Sequence, residues 1–188
     1  MFILASASPR REELLKQIGC TFQVIPGQAE EITDSTLTPQ QLALTNAKLK
    51  VRSVAALHPG IPVLGADTVV TLGGRIFGKP RDADDAKHIL SELVGRIHRV
   101  VTGLALAKDG RLYAMSVTTE VRLASLTAEE IEAYVATGEP MDKAGGYALQ
   151  GRAAAFIEGI NGSYSNVVGL PLYAFTKLAK KAGLSLYE

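Results

Sequence analysis

The sequence predicts an α/β protein built on an elongated mixed β-sheet flanked by helices. Apolar runs of strand type alternate with segments of helical spacing along the whole chain, which is the pattern of helices packed on a sheet. Two pairs of apolar runs are joined by tight turns, Gly73-Gly74 and Lys108-Asp109-Gly110, and these add antiparallel hairpins to that sheet. The composition agrees: 188 residues, 47% of them hydrophobic, suffice for one domain spanning 1-188 with a substantial core, or for two fused lobes.

Taken in order, the chain opens on a short apolar run that breaks at Ser6-Ala7-Ser8-Pro9 and resumes with helical spacing. Ser8 suits an N-cap and Pro9 the first helical position, where a missing N–H costs nothing. Leu14, Leu15 and Ile18 then share one face, and Gly19 suits a left-handed stop. Two arginines, Arg10 and Arg11, begin this helix. Cations sit badly at the positive end of a helix dipole unless an anion is bound there. The alternative is an ordinary capped helix whose arginines pair with Glu12, Glu13 or a neighbouring carboxylate. Thr21 to Ile25 reads as a strand, Pro26 to Ile32 as a loop carrying the acidic pair Glu30-Glu31, and a polar stretch leads to Thr38. Thr38-Pro39 starts a second helix that ends near His58-Pro59-Gly60, with Leu42, Leu49 and Ala56 along one stripe and Lys48, Lys50 and Arg52 decorating it.

The run Ile61 to Val70 is almost wholly apolar but carries Asp67 and Thr68 at its centre. A buried aspartate is expensive unless paired, hydrogen-bonded or bound to a metal, so Asp67 is a functional candidate. The chain turns at Gly73-Gly74 and returns to Gly78-Lys79-Pro80. Gly73 to Lys79 fits the first seven positions of a P-loop, yet Pro80 stands where a Ser or Thr should ligate Mg²⁺, and the glycines belong to a hairpin. Lys79 nevertheless returns alongside the strand that carries Asp67.

A helix follows over Asp82 to Leu93, closed by Gly95. His88 and His98 lack a second histidine or cysteine at metal-ligand spacing, so surface or hydrogen-bonding roles fit them better. Arg99 to Ala107 and Arg111 to Leu123 form the second hairpin, where Thr102 reads as core strand. Thr127-Ala128-Glu129-Glu130 is a capping box that opens a helix ending at Gly138. The glycine-rich segment Asp142 to Gly151 is too long for a simple turn, and structured loops of this kind are disproportionately functional. Its Gln150 can both donate and accept, which suits it to the edge of a base. Phe156-Ile157 reads as a short strand and Asn161 to Asn166 as a polar loop. The last helix runs from Pro171 through Leu178, its lysines toward the favourable end of the dipole.

A net charge of +1 gives no global pull toward nucleic acid or anionic membrane, so no nucleic-acid partner is expected and anion recognition must come from a local cluster. A lone cysteine, Cys20, excludes an intrachain disulfide and suits a reducing compartment. No basic segment followed by an apolar run opens the chain, and no stretch approaches the ~20 apolar residues of a membrane span, so a cytoplasmic location is expected.

The polar outliers form a set: Ser6, Ser8, Arg10, Arg11, Lys48, Asp67, Lys79 and Gln150. Four cations and one acid suggest a polyphosphate and a metal, because phosphoryl chemistry needs positive charge around the phosphate oxygens and a group that orients water. At this point the chain resembles a known family. Ala5 to Arg11, Gly65 to Val70, Gly78-Lys79-Pro80 and Asp142 to Gly151 are together similar to the Maf nucleoside triphosphate pyrophosphatases. Leu90 to Gly103, and Asn161 to Tyr164 with Val168 to Pro171, are similar to further family segments. Val94, Ile97 and Pro26-Gly27 depart from that pattern, none of them at the charged set.

The resemblance implies an ITPase-like, two-lobed Maf fold with a central cleft. It also implies cleavage between the α- and β-phosphates of a nucleoside triphosphate with a divalent cation, Mg²⁺ or Mn²⁺. Carried over by position, Asp67 would be the proton acceptor or hold the metal, with Glu31 supporting the metal. Arg10, Arg11, Lys48 and Lys79 would bind phosphate, assisted by Ser6, and Arg10, Thr68 and Gln150 would bear on specificity. Tyr147 to Gly151 is similar to the branch acting on dTTP and UTP. A house-cleaning role, a link to arrest of cell division and a homodimer are part of the same implication. The rival expectation is a binding module that holds nucleotide or nucleic acid as a signal in division control, with Asp67 only paired to a cation.

Overall fold

The structure, a computed structural model, describes residues 1–34 and 36–186. Ser35 in the polar stretch before Thr38, and Tyr187 and Glu188 at the end of the expected domain span, lie outside the described residues. Seven strands form one mixed sheet that does not close into a barrel. They are β1 (Phe2–Leu4), β2 (Phe22–Val24), β3 (Val63–Leu72), β4 (Arg75–Phe77), β5 (Ile97–Lys108), β6 (Arg111–Leu123) and β7 (Ile157–Asn161). The order is β2-β1-β3-β5-β6-β7, with β4 paired to β3. β1 runs parallel to β2 and β3, whereas the two hairpins pair antiparallel, as their turns require. The helices are α1 (Pro9–Gln17), α2 (Pro39–Ala55), α3 (Ala83–Leu93), α4 (Ala128–Val135), α5 (Tyr164–Val168) and α6 (Leu172–Ala182). Among the described residues no helix is long and apolar enough to cross a membrane.

The expected starts are present at α2 and α4, where Thr38 and Thr127 make full capping boxes; the helices end at Ala55 and Val135, a few residues before the expected His58-Pro59-Gly60 and Gly138. Ser8 occupies the N-cap position of α1 but makes no side-chain cap; its backbone N–H instead donates to Ser6 Oγ at 3.2 Å. The polar segment after β7 is not wholly loop: Ser163 Oγ accepts from the Asn166 N–H and starts the short α5.

Side chains alternate across β3 and β5, and the alternation explains where the cleft lies. On one face Leu64, Ala66, Leu104 and Leu106 pack with α1 and α6, while Val70 and Val100 join a second apolar cluster with α3 and α4. Between these clusters stand Thr68 and Thr102, directly opposite each other across the two strands. On the other face Val63 and Ala105 pack under one part of α2, and Val69 and Val101 under another. Between those stand the opposed residues Asp67 and Gly103. Both faces therefore become polar or empty at one level of the sheet. The edge of β3 is also open at that level: β1 pairs as far as Leu64, and β4 begins at Val70.

Glycine lets α2 come close at this level. A Cβ on Gly103 would lie 2.4 Å from the Ala43 carbonyl, and one on Gly65 2.7 Å from Val51 Cγ2. Such close approach of a helix to a strand is available only where no side chain intervenes.

Candidate active site

The break in both faces and the open edge of β3 meet in one cavity of about 1010 Å³, lined by residues of α1, α2, β3, the β4 end and the glycine-rich loop. That is ample for a nucleotide-sized ligand, since small-molecule sites span roughly 300–1,000 Å³.

Asp67 is buried and projects from β3 toward α2. Lys50 Nζ donates to its Oδ1 at 2.7 Å, and Asn46 Nδ2 approaches Oδ2 at 3.4 Å. The same ammonium lies 2.6 Å from Glu31. Asn46 also fixes the loop that carries Glu31, accepting from the Ile32 N–H at 2.9 Å and donating to the Ile32 carbonyl at 3.1 Å. Burial works against the ionised form of Glu31, but the hydrogen bond and charge of Lys50, with Lys79 and Arg11 nearby, outweigh it and hold the carboxyl below the usual range.

Arg11 is the second centre. It is buried, yet every hydrogen-bond partner it has among the described residues is neutral: Nε donates to the Gly169 carbonyl at 2.8 Å, one terminal nitrogen to Ser6 Oγ and the other to Thr68 Oγ1, both at 3.2 Å. Burial lowers its pKa, with the charges of Asp67 and Glu31 pulling the other way. A guanidinium stays protonated in proteins, so this site holds a buried positive charge with two N–H groups left over. A buried cation without a hydrogen-bonded counterion is costly, and an anion in the cleft would supply one.

The other candidates are placed unevenly. Arg10 lines the cleft and pairs with Asp142 across it at 3.3 Å; Lys79 and Gln150 line it from exposed positions. The Gly145 N–H donates to the Gly78 carbonyl at 3.0 Å, tying the glycine-rich loop to the segment that carries Lys79. Glu139 holds the far end of that loop by accepting from the N–H groups of Arg152 and Ala153. Ser8 lines the cleft, and Ser6 is buried at its wall. Lys48 does not line it: the face of α2 buried on the sheet is Leu42, Ala43, Asn46, Ala47, Val51 and Val54, and this turn of the helix presents Lys50 instead. The stripe through Leu49 and Ala56 is likewise not the buried face. Asn46, Lys50 and Gly169 line the cleft and the sequence pattern did not mark them; Thr102 and Asn166, also unmarked, are buried behind Thr68. No local signal marked the α2 pair: Asn46 and Lys50 are four residues apart on the side of Ala43 and Ala47, and only packing on the sheet selects that side.

Among the described residues no group of three or more His, Cys, Asp or Glu side chains stands close enough to hold a metal ion. The donor set present nevertheless fits a hard divalent cation. Two carboxylates, Glu31 and Asp67, already converge on one cation, Lys50 Nζ, and Mg²⁺ is commonly held by one or two carboxylates with substrate phosphates completing its shell.

A mixed sheet broken by a cleft that sets cations around a buried carboxylate defines an α/β protein with a charged cleft whose chemistry suits an anionic ligand. Comparison with known sequences is more particular. The chain belongs to the Maf family: the family model described as Maf-like protein matches residues 1–182. It is 51% identical over 170 residues to a dTTP/UTP pyrophosphatase of Gloeobacter violaceus, covering 90% of each chain. It is 48% identical over 178 residues to a protein of the same name from Thermococcus gammatolerans, covering 95% of each. A third relative of that name, from Symbiobacterium thermophilum, is 45% identical over 185 residues, covering 98% of this chain and 95% of the relative.

Proposed function

We propose that this chain, acting as one domain, hydrolyses dTTP and UTP to the nucleoside monophosphate and pyrophosphate. The observation that carries the reading is the buried Arg11, a charge whose partners are all neutral, set in the same cavity as the Asp67 carboxylate. A site built only to hold phosphate gains nothing from a carboxylate among its cations, whereas one that must activate water does. The relatives' shared name supports the pyrimidine substrates.

In this reading Arg11, Arg10 and Lys79 hold the phosphate oxygens, and Ser6 donates beside Arg11. Lys50 and Asn46 keep the Asp67 carboxylate facing the cleft. Asp67 takes a proton from water as the water oxygen bonds to the α-phosphorus. The bond from that phosphorus to the α–β bridging oxygen then breaks, and pyrophosphate leaves among the cations. Glu31 and Asp67 would hold the divalent cation, Mg²⁺ or Mn²⁺, which when bound neutralises charge on the phosphates and acidifies a bound water. A homodimer working in the cytoplasm completes the reading and rests on family membership alone.

The test is a panel of nucleoside triphosphates followed by pyrophosphate release with Mg²⁺ or Mn²⁺. Turnover of dTTP and UTP well above the purine triphosphates is expected. Saturable binding with no product would favour a nucleotide-binding module instead.

A further inference from the structure

The two hydroxyls beside Arg11 are left with opposite hydrogen-bonding polarity. Ser6 Oγ accepts twice, from the Ser8 N–H and from Arg11, both at 3.2 Å, which uses both lone pairs and leaves its proton to donate. Thr68 Oγ1 accepts from Arg11 at 3.2 Å and lies 2.9 Å from Thr102 Oγ1. Thr102 is fully buried, and its own hydroxyl donates at 3.2 Å to the Asn166 carbonyl oxygen. With its single proton committed there, Thr102 can only accept from Thr68. The bonds then run one way, from Arg11 to Thr68 to Thr102 to the Asn166 carbonyl, and a chain in which each hydroxyl accepts once and donates once is mutually reinforcing. Its far end is fixed: the Asn166 side chain donates to the Val100 carbonyl at 3.1 Å and to Thr119 Oγ1 at 2.9 Å, on β5 and β6.

We propose that Thr102 is a positioning residue that commits the Thr68 proton inward, so that Thr68 shows the ligand only a lone pair and reads a donor on the nucleoside. Deprotonated phosphate oxygens offer acceptors only. They therefore belong on the Ser6 side of Arg11, and the nucleoside on the Thr68 side. The donors that uridine and thymidine nucleotides share are the imide N–H of the base and the ribose 3′-hydroxyl. The inference rests on the proposed nucleotide reading, and it assigns that site a polarity as well as a charge.

The experiment measures binding, so that it stands apart from catalysis. Calorimetry with Mg²⁺ compares non-hydrolysable α,β-methylene analogues of UTP, CTP and 3′-deoxy-UTP on the wild-type protein, Thr102→Val and Thr102→Ser. CTP presents a bare N3 and a 4-amino group where UTP has the imide N–H and 4-carbonyl, and 3′-deoxy-UTP lacks the hydroxyl, so the two arms separate the base edge from the sugar. The wild type is expected to disfavour one of the two analogues by about tenfold or more, the worth of one hydrogen bond whose partner is left unpaired once the ligand covers it. Thr102→Val, which frees the Thr68 proton to turn outward, is expected to bring that preference to within about threefold of unity. Thr102→Ser is expected to retain it. Thr102→Ala replaces the valine variant if that one does not fold. A wild-type preference that survives in the valine or alanine variant, or no wild-type preference in either arm, overturns the inference. Preferences that behave as expected in a protein that releases no pyrophosphate would overturn the hydrolase reading alone.

Discussion

Replacing Gly103 by alanine tests whether the close seat of α2 on the sheet builds the site. The new Cβ would lie 2.4 Å from the Ala43 carbonyl carbon and oxygen and 2.5 Å from the Leu44 nitrogen, all backbone atoms that no rotamer change can move. Ordinary carbon contacts begin near 3.5 Å, so α2 must withdraw by about 1 Å. Overpacking of this kind costs about 1–3 kcal/mol, with the upper end expected where the obstacle is backbone. In a chain of this length about 3 kcal/mol lowers the melting temperature by about 6–12 °C. Asn46 and Lys50 move with the helix, while Asp67, the cross-strand partner of residue 103, stays on β3. If Asp67 reacts as proposed, a displacement near 1 Å of the groups that orient its carboxylate costs about 10²-fold in turnover. Thermal melting followed by circular dichroism, beside pyrophosphate release from UTP, reads both effects. A variant that melts within 2 °C of the wild type, about the shift of a single weak contact, and turns over UTP normally would refute the reasoning.

Further outcomes follow from the structure. Lys50→Ala leaves Glu31 and Asp67 without the cation they share and is expected to lower kcat/KM for UTP by about 10- to 100-fold, the range for lost charge-assisted hydrogen bonds. Lys48→Ala, off the cleft, is expected to stay within about twofold, so equal losses in the two variants would contradict the placement of α2. His98 is buried with Nε2 2.7 Å from the Tyr147 hydroxyl and Nδ1 without a partner among the described residues; burial lowers its pKa to about 4. The unfolded chain therefore binds this proton first as pH falls, and stability is lost from pH 6.5 downward by about 1.4 kcal/mol per unit until about pH 4. Between pH 6.5 and 5 that is about 2 kcal/mol, which His98→Gln should largely remove. Melting curves of both proteins at the two pH values decide it, and an equal drop in each would exclude His98 as the source.

Much of the fold is written locally. The hairpin turns at Gly73-Gly74 and Asp109-Gly110, the helix start at Thr38-Pro39, the capping box at Thr127 and the stop at Gly19 all depend on residues within a few positions of one another, and all stand where the sequence puts them. Asp67 was legible for the same reason, a lone carboxylate in an apolar strand. Lys50 was not: Lys48, Lys50 and Arg52 are equivalent on an isolated helix, and only the packing of Ala43 and Ala47 against the sheet chooses among them. Thr102 lay further out of reach. In a strand it passes as an ordinary β-branched core residue, and its meaning comes from Thr68 and Asn166, which are 34 and 64 positions away. Gly169 is more distant still, 158 positions from the Arg11 side chain that its carbonyl receives. Such partners are set by topology, and no local spacing encodes them.

In the proposed reaction Asp67 supplies the chemistry in a cleft whose cations hold the triphosphate. Asp67→Asn keeps the size of the side chain and removes its basicity, so the most direct measurement is pyrophosphate release from dTTP and UTP by the two proteins side by side. Circular dichroism verifies that the variant is folded, and calorimetry with an α,β-methylene UTP analogue verifies that it still binds nucleotide. Loss of at least about 10³-fold in kcat with binding retained is expected, in line with removal of a proton acceptor that acts in the transition state. Turnover by Asp67→Asn equal to that of the wild type would remove Asp67 from the reaction and leave it a structural partner of Lys50.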